Sequence, residues 1–258
     1  MTVVAIIQAR MTSSRLPGKV LMDLAGRPML DRVVRRAQAA RRVDAVWVAC
    51  TTGRADDPIA RWCETNGVSV FRGSESDVLG RFVAAAEAAK AAIIVRLTAD
   101  CPLLDPAVID ATIAALDGAG GSCDYAANVL ERSYPRGLDT EVFTRDALDR
   151  MDRIGTSAAA REHVTIPARL EAPEAFRVRS VRAEVDASDL RWTVDTADDL
   201  AFVRRVYQAL ELGERIGSYQ EIVAWCRADE LQMRRDGAGH TWDPSRMVAA
   251  SIVERTES

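Results

Sequence analysis

The first hundred residues alternate short apolar runs with amphipathic stretches. The apolar runs predict four buried strands, at 3–7, 45–50, 68–71 and 93–97. Apolar side chains between them recur at helical spacing and predict helices at 28–40, at 56–66 and from Asp77 onward. A strand, helix, strand, helix order at this spacing indicates βαβ units and a mainly parallel sheet, so the predicted fold class is α/β.

The alternation of apolar runs and amphipathic stretches is less regular in the second half of the chain. A helix at 106–116 is followed by a glycine-rich joint at 118–121, which we expect to be flexible. Beyond it we predict strands at 125–128, 138–143 and 176–185, with helices from about 145 and around 161–164. We interpret about 123–190 as an arm inserted into a single domain of residues 1–258. We expect this arm to make subunit contacts and to close the site.

The last third of the chain carries one clear helix start. The segment 191–196 ends a predicted last strand, and Thr196 with Asp199 resembles a capping box for the helix that follows. A further helix is predicted at about 220–228, before a polar tail that contains His240 and Trp242. We expect these two tail residues to be structural.

Composition narrows the class of protein. The 258 residues are 48% hydrophobic and 28% charged, as in a globular domain, and the net charge of −4 argues against a nucleic-acid polymer as partner. No apolar run reaches the length of a membrane span and no signal peptide is evident, so we expect a cytoplasmic protein with no membrane partner. Five cysteines without close spacing predict free thiols.

A cationic loop follows the first predicted strand, from Gln8 to Lys19. Ligands of open α/β sheets bind at the carboxyl ends of the strands, which is where this loop begins. We interpret the loop as a cradle for a polyanion. Its cations are Arg10, Arg15 and Lys19, and Ser13, Ser14 and Gly18 can offer further hydrogen-bond donors. Composition alone leaves an ordinary solvated surface loop as the alternative.

Two familiar phosphate-binding motifs are excluded. A Walker A loop requires Gly five residues before Gly18 and Ser or Thr after Lys19, but Ser13 and Val20 occupy those positions. No Gly-x-Gly-x-x-Gly follows the first strand either, so the dinucleotide fingerprint is missing.

The segment Gln8-Ala9-Arg10-Met11-Thr12-Ser13-Ser14-Arg15-Leu16-Pro17-Gly18-Lys19 resembles the signature loop of the CMP-sugar synthetases, a cytidylyltransferase family. It is most similar to the branch named for spore-coat polysaccharide biosynthesis. The continuation at 20–30 is similar to the family's segment leading into its first helix. The resemblance implies a Rossmann-like nucleotidyltransferase fold, a three-layer sandwich with a mainly parallel sheet, and a homodimer.

The resemblance also implies an activity. The chain would be a magnesium-dependent nucleotidyltransferase that transfers CMP from CTP to a sugar, sugar acid or phosphorylated small molecule, releasing pyrophosphate, for cell-surface glycan biosynthesis. Asp100 and Asp195 match the family's Mg²⁺ carboxylates, and carboxylate oxygen is the ligand that Mg²⁺ prefers. On the residues alone, Asp100 could instead be a turn residue and Asp195 could support a helix N-terminus.

The remaining candidate roles follow from the same resemblance and from strand ends. We predict Arg15, Lys19 and Asp100 to be catalytic, with the two cations on the β- and γ-phosphates. The predicted nucleotide-binding residues are Gln8, Ala9, Arg10, Ser13, Ser14, Gly18, Arg72, Gly73, Ser74, Thr98 and Ala99. The predicted acceptor-binding residues are Arg136, Asp139, Glu141 and His163. Cys101 has no paired histidine, so we expect a small buried residue rather than a nucleophile.

Two departures from the octulosonate enzymes concern the acceptor. Thr98-Ala99-Asp100 occurs where those enzymes carry Gln-Gly-Asp, and the segment 72–77 replaces their His-Pro-Ser-Gly stretch. The sequence therefore does not indicate an octulosonate or sialic acid enzyme. Two other functions stay open: a glycosyltransferase using a nucleotide-sugar, although its usual paired Asp motif is missing, and a non-catalytic nucleotide-binding module.

Overall fold

The structure, a computed structural model, describes residues 1–117 and 122–235. The chain divides into two compact units, Met1–Tyr219 and Gln220–Ser258. The first unit holds the central sheet, and the described part of the second is helical. The predicted joint at 118–121 and the tail residues His240 and Trp242 lie outside the described residues.

Within the described residues, seven strands form the central sheet in the first unit. The strands of the chain, including a short hairpin of two, are β1 (Val3–Gln8), β2 (Asp23–Leu24), β3 (Arg27–Pro28), β4 (Ala45–Thr51), β5 (Ser69–Gly73), β6 (Ile93–Thr98), β7 (Tyr125–Ala127), β8 (Glu141–Thr144) and β9 (Val178–Ser180). The sheet order is β5-β4-β1-β6-β8-β7-β9, and within it only β8 runs antiparallel. The predicted α/β fold with a mainly parallel sheet is confirmed.

The helices agree with the local sequence signals. They are α1 (Met29–Gln38), α2 (Asp57–Thr65), α3 (Val78–Ala88), α4 (Pro106–Ala114), α5 (Arg145–Ile154), α6 (Ala158–His163), α7 (Ala197–Ala209) and α8 (Tyr219–Arg235). The predicted capping box is confirmed, because the Thr196 hydroxyl accepts from the Asp199 N–H while the Asp199 carboxylate accepts from the Thr196 N–H. None of the described helices is long and apolar enough to cross a bilayer.

Helices cover both faces of the sheet. Alternate residues of β1 and β6, such as Ile6 and Ile94, pack against α3 and α5 in one buried cluster that includes Phe82 and Leu148. On the opposite face, α1 and α2 pack against β4, and α1 also packs against α4. Burial on both faces explains why these strands are almost wholly apolar. The loops at the carboxyl ends of β5, β4, β1 and β6 are left at the open edge of the sheet.

The second half of the first unit differs from the sequence prediction. The region 123–190 supplies β7, β8 and β9, so it extends the central sheet. The predicted strands at 138–143 and 176–185 are shorter, at 141–144 and 178–180. The predicted last strand at 191–196 is wrong: Arg191 forms one isolated bridge with Arg136.

The segment 191–196 is extended without being a strand because its backbone groups bond to loops. The Trp192 N–H donates to the Arg136 carbonyl (2.6 Å), and the Val194 N–H donates to the Asp100 carbonyl (2.9 Å). These backbone N–H groups therefore have hydrogen-bond acceptors although the segment pairs with no neighbouring strand of the described chain over its length. These bonds bring Asp195 to the end of β6.

Candidate active site

The loops at the carboxyl edge of the sheet surround a cavity of about 310 Å³. The predicted site residues in its lining are Gln8, Ala9, Arg10, Ser13, Ser14, Arg15, Lys19, Thr98, Ala99, Asp100, His163 and Asp195. The fold therefore brings the cationic loop and both aspartates together, although Asp195 follows the loop by about 180 residues.

Backbone hydrogen bonds fix the shape of the cationic loop. Gly18 is left-handed (φ +73°) and its N–H donates to the Met11 carbonyl (2.9 Å), which closes the loop. The fully buried Asp56 accepts from the N–H groups of Met11 (2.7 Å) and Thr51 (2.8 Å), so it ties the loop to the end of β4. These bonds hold the loop in one conformation through contacts within the chain.

Lys19 lies between the two aspartates. Its Nζ donates to Asp100 Oδ2 (3.1 Å), Asp195 Oδ1 (3.0 Å) and the Val194 carbonyl (2.7 Å), and the residue is only 7% exposed. An ammonium has three protons, so all of its donors are used. Lys19 therefore holds the two carboxylates in place, and a ligand phosphate would have to displace one of these acceptors.

Asp195 is surrounded by cations. Besides Lys19, Arg15 (3.1 Å) and Arg191 form ion pairs with its carboxylate. Burial alone would raise the pKa of Asp195, but Lys19 and Arg191 outweigh burial and hold that pKa below its usual value. Asp195 is therefore ionised at neutral pH.

The two aspartates fit a divalent cation of the Mg²⁺ type. Asp100 and Asp195 present carboxylate oxygens to the same ammonium, so hard oxygen ligands from two parts of the chain meet at one point. Within residues 1–117 and 122–235, no group of three or more His, Cys, Asp or Glu is placed to hold a metal ion. Mg²⁺ usually binds one or two carboxylates together with water and substrate phosphates, so two aspartates suffice.

Several predicted site residues lie outside the cavity lining: Gly18, Arg72, Gly73, Ser74, Arg136, Asp139 and Glu141. Arg72 turns away, donating to the carbonyls of Thr51 and Gly53 (both 3.0 Å) and to Asp57 (2.7 Å). Asp139 is engaged in a bidentate pair with Arg132. The backbone of Arg136 bonds to Leu190 and Trp192.

Glu141 lies behind the cavity and is 4% exposed. Its carboxylate pairs with Arg96 and accepts from the hydroxyls of Tyr125 (2.5 Å) and Thr165 (2.7 Å). Burial works to raise the pKa of Glu141, but Arg96 and the two hydroxyls outweigh it and lower that pKa. Arg96 also donates to Gln8 Oε1 (3.1 Å), so this network orients the Gln8 amide at the cavity.

The sequence assigns no site role to seven residues of the lining: Val20, Thr51, Glu75, Val78, Arg81, Arg96 and Glu162. Two of these residues carry a signal in the sequence. Arg96 is a charge inside the apolar run of β6, and Arg81 lies at i+3 from Val78 on the apolar side of α3. A charged residue is unusual at such an apolar position, and its place in the cavity lining explains each arginine.

His163 reaches the cavity from a strained turn. It is the last residue of α6, and the buried Val164 that follows has φ +54° and ψ −58°. The Thr165 N–H donates to the His163 carbonyl, which closes a three-residue γ-turn. A β-branched residue with positive φ is a genuine outlier, and such strain clusters at functional sites.

Cys101 does not have the character of a nucleophile. It is buried, and burial together with the neighbouring Asp100 raises its pKa well above the usual thiol value. The thiolate is the reactive form of cysteine, so this thiol is inert at neutral pH. The expectation that Cys101 is a small buried residue is confirmed.

The comparisons with known proteins agree with this geometry. A family model described as cytidylyltransferase matches residues 4–213, a range that contains the cationic loop and both aspartates. The chain belongs to the cytidylyltransferase family. It is accordingly an enzyme of the nucleotidyltransferase class, as predicted.

Three relatives match this chain over most of their length. The spore coat polysaccharide biosynthesis protein SpsF of Bacillus subtilis is 37% identical over 81% of this chain and 87% of its own. A 3-deoxy-manno-octulosonate cytidylyltransferase of an Anaeromyxobacter species is 34% identical over 80% of this chain and 98% of its own. The solved structure of a cytidylyltransferase from Leptospira borgpetersenii superposes with a TM-score of 0.83, at 32% identity, covering 89% of this chain and 95% of that one.

Proposed function

We propose that this cytidylyltransferase transfers CMP from CTP to a sugar-like acceptor, with a divalent cation, and releases pyrophosphate. The observation that carries the proposal is the meeting of Asp100, Asp195 and the cationic loop in one cavity. Such transfers depend on positioning and charge neutralisation, for which carboxylates and fixed cations are suited.

The proposed reaction is an in-line displacement. An oxygen of the acceptor forms a bond to the α-phosphorus of CTP. The bond from that phosphorus to the oxygen bridging to the β-phosphate breaks, and its electron pair leaves with pyrophosphate. A hydroxyl acceptor loses its proton to solvent, whereas an acceptor phosphate has none to lose. The chain needs no covalent nucleophile, in keeping with the inert Cys101.

Each site residue has a proposed part. Asp100 and Asp195 would hold Mg²⁺, whose chemistry is to neutralise phosphate charge, and Lys19 positions both carboxylates. Arg15 is 59% exposed in its side chain, so its ion pair with Asp195 is weak and it can turn to the phosphates. Gln8, oriented by Arg96, and His163 at the cavity are proposed to contact the substrates.

The acceptor and the setting rest on the relatives. The name of the Bacillus relative refers to spore coat polysaccharide, which supports a role in cell-surface glycan synthesis. We propose a sugar, a sugar acid or a phosphorylated small molecule as acceptor. The homodimer, the role of the 123–190 region in it and the cytoplasmic location stay predictions.

The first test is nucleotide selectivity. The melting temperature is measured with CTP, GTP, UTP and ATP, each with and without Mg²⁺. A ligand at a hundred times its dissociation constant adds about 2.7 kcal/mol of stability. We expect a selective, Mg²⁺-strengthened rise with CTP. A rise with another nucleoside triphosphate alone would contradict cytidine specificity, and release of nucleoside diphosphate from a nucleotide-sugar would favour a glycosyltransferase.

The second test is pyrophosphate release from CTP on an acceptor panel. Asp100→Asn keeps the shape of the side chain but removes its charge, and we expect the rate to fall about 10²–10³-fold, as for other preorganised electrostatic groups. Asp198→Asn is the matched control, because Asp198 is exposed in the first turn of α7 and does not line the cavity. Equal rates of pyrophosphate release in the two variants would contradict the proposed catalytic role of Asp100.

A further inference from the structure

The cations of the cavity differ in how well they are neutralised. Among the described residues, the arginines and lysines of its lining are Arg10, Arg15, Lys19, Arg81 and Arg96. Carboxylates neutralise three of them: Asp195 pairs with Arg15, Asp100 and Asp195 with Lys19, and Glu141 with Arg96. In the described parts of the chain, Arg10 and Arg81 form no ion pair. Arg10 and Arg81 are therefore the lining cations that a ligand can engage without breaking an ion pair, while Glu75 and Glu162 add negative charge to the same lining.

Arg81 is the more informative of the two because it is only 5% exposed. Its guanidinium donates to the Ser74 carbonyl, and its Nε is buried with no hydrogen-bond partner in the part of the chain that the structure describes. Burial lowers the pKa of Arg81 and the nearby Arg10 lowers it further, against the opposing effect of Cys50, Asp56 and Glu75. A buried guanidinium that forms no ion pair is costly unless a ligand supplies the missing partner.

The fold makes room for Arg81. A Cβ on Gly73 would lie 2.9 Å from Arg81 Cγ and 3.3 Å from its Cβ, so a side chain at position 73 would displace the arginine. Helix α3 is also anchored at its start, since Asp77 caps it and pairs with Arg161 (2.7 Å). Arg81 is therefore held at the cavity by its own surroundings.

We propose that Arg81 and Arg10 form the subsite for the pyrophosphate end of the nucleotide. This proposal rests on the proposed function and assigns the leaving group to two residues, one of which the cationic loop does not contain. Phosphate oxygens accept well from guanidinium N–H groups, and two arginines can share the charge of a diphosphate. The acceptor's own acidic group has the same chemistry, so the test must separate the two sources.

Inorganic pyrophosphate is the probe, and its binding is measured by titration calorimetry without turnover. We expect Arg81→Met to weaken pyrophosphate binding at least tenfold, since hydrogen bonds to charged groups are worth roughly this much. Binding of CMP, which lacks the leaving phosphates, should change less than twofold. Arg61→Met, which removes an exposed arginine of α2 outside the cavity, is the matched control and should leave both unchanged.

A second variant guards against a folding defect in the first. Gly73→Ala keeps Arg81 but crowds it at Cγ, so we expect pyrophosphate binding to weaken and the melting temperature to fall, with CMP binding close to wild type, which shows that the folded site is retained. If Arg81→Met weakens CMP as much as pyrophosphate, the arginine contacts the nucleoside and the proposal is wrong. Unchanged pyrophosphate binding would also overturn it.

Competition identifies the source of the anion. In the proposed subsite, CTP displaces pyrophosphate from the wild-type chain, whereas CMP binds alongside it. Simultaneous binding of CTP and pyrophosphate would assign the arginines to the acceptor and overturn the proposal. A chain that binds pyrophosphate through Arg81 but turns over no CTP would keep this subsite and reject the proposed function, so the two failures are distinguishable.

Discussion

At the scale of single residues, Lys19 positions two carboxylates, and we expect its replacement to lower the free energy of unfolding. Lys19→Met removes one buried and two partly buried hydrogen bonds and leaves Asp100 without an ion pair among the described residues, while Asp195 keeps Arg15 and Arg191. Removing one partner of a fully buried ion pair costs about 3 kcal/mol or more, and because the Asp100 side chain is 26% exposed we expect the free energy of unfolding to fall by about 2 kcal/mol. Urea denaturation of the variant measures that cost.

A double variant tests whether the cost comes from the uncompensated Asp100. Adding Asp100→Asn to Lys19→Met removes the unpaired charge, so we expect the double variant to be at least 1 kcal/mol more stable than the two single losses would sum to. Additive losses would mean that Lys19 and Asp100 do not stabilise each other, contrary to the 3.1 Å contact.

Residues close in sequence or at strand ends were predictable, and long-range partners were not. The cationic loop and Asp100 follow from buried strands that end at one edge of a sheet. The pairing of Arg96 with Glu141 depends on the register of β6 against the antiparallel β8, which no local pattern encodes. The sequence likewise does not show that Arg72 pairs with Asp57 on α2, a contact that keeps its side chain outside the cavity lining.

At the scale of elements, the turn after α6 should reverse the usual effect of glycine on stability. We expect Gly to be more stabilising than Ala at position 164. Val164→Ala and Val164→Gly both lose a buried side chain, which costs about 2 kcal/mol. Ala retains a Cβ at φ +54° whereas Gly does not, so we expect the Gly variant to be about 1 kcal/mol more stable than the Ala variant. Chemical denaturation measures the difference.

Val142 supplies the matched comparison for this turn. It is equally buried, but it lies in β8 with extended backbone, where Gly is less favourable than Ala by about 0.5–1 kcal/mol. The order of the Ala and Gly variants should therefore reverse between positions 142 and 164. The same order at both positions would show that Val164 is not strained.

Strands and helices were predictable where the hydrophobic pattern and the spacing between elements indicate the same structure. The βαβ spacing of the first hundred residues gave β1, β4, β5 and β6 nearly to their ends. The segment 191–196 has the composition of a strand, but its backbone is satisfied by the loops that hold Arg136 and Asp100. Local sequence reports how extended a segment is, whereas its pairing partners depend on the assembled fold.

At the scale of the whole molecule, ionised carboxyls make stability depend on pH. Arg161 hydrogen bonds lower the pKa of Asp77, and for Asp124, Glu141 and Asp195 burial is outweighed by neighbouring cations, which lower those pKa values too. A lowered folded-state pKa adds stability that is present above the ordinary value and is lost as pH falls through the folded value. The melting temperature should therefore be level from about pH 5 to 7 and fall below about pH 4.

Asp124→Asn tests this dependence away from the cavity. Asp124 is buried beside Arg150 and Arg177 (both 3.0 Å), and asparagine keeps its shape while removing one titrating group. The variant should be less stable at pH 7 but should lose less stability between pH 5 and pH 3, because its unfolded state takes up one proton fewer. Melting temperatures of both proteins across that range measure the two slopes. Parallel curves would mean that Asp124 titrates alike in the folded and unfolded chain, and the acid sensitivity would then belong to other carboxyls, such as Asp77, Glu141 and Asp195.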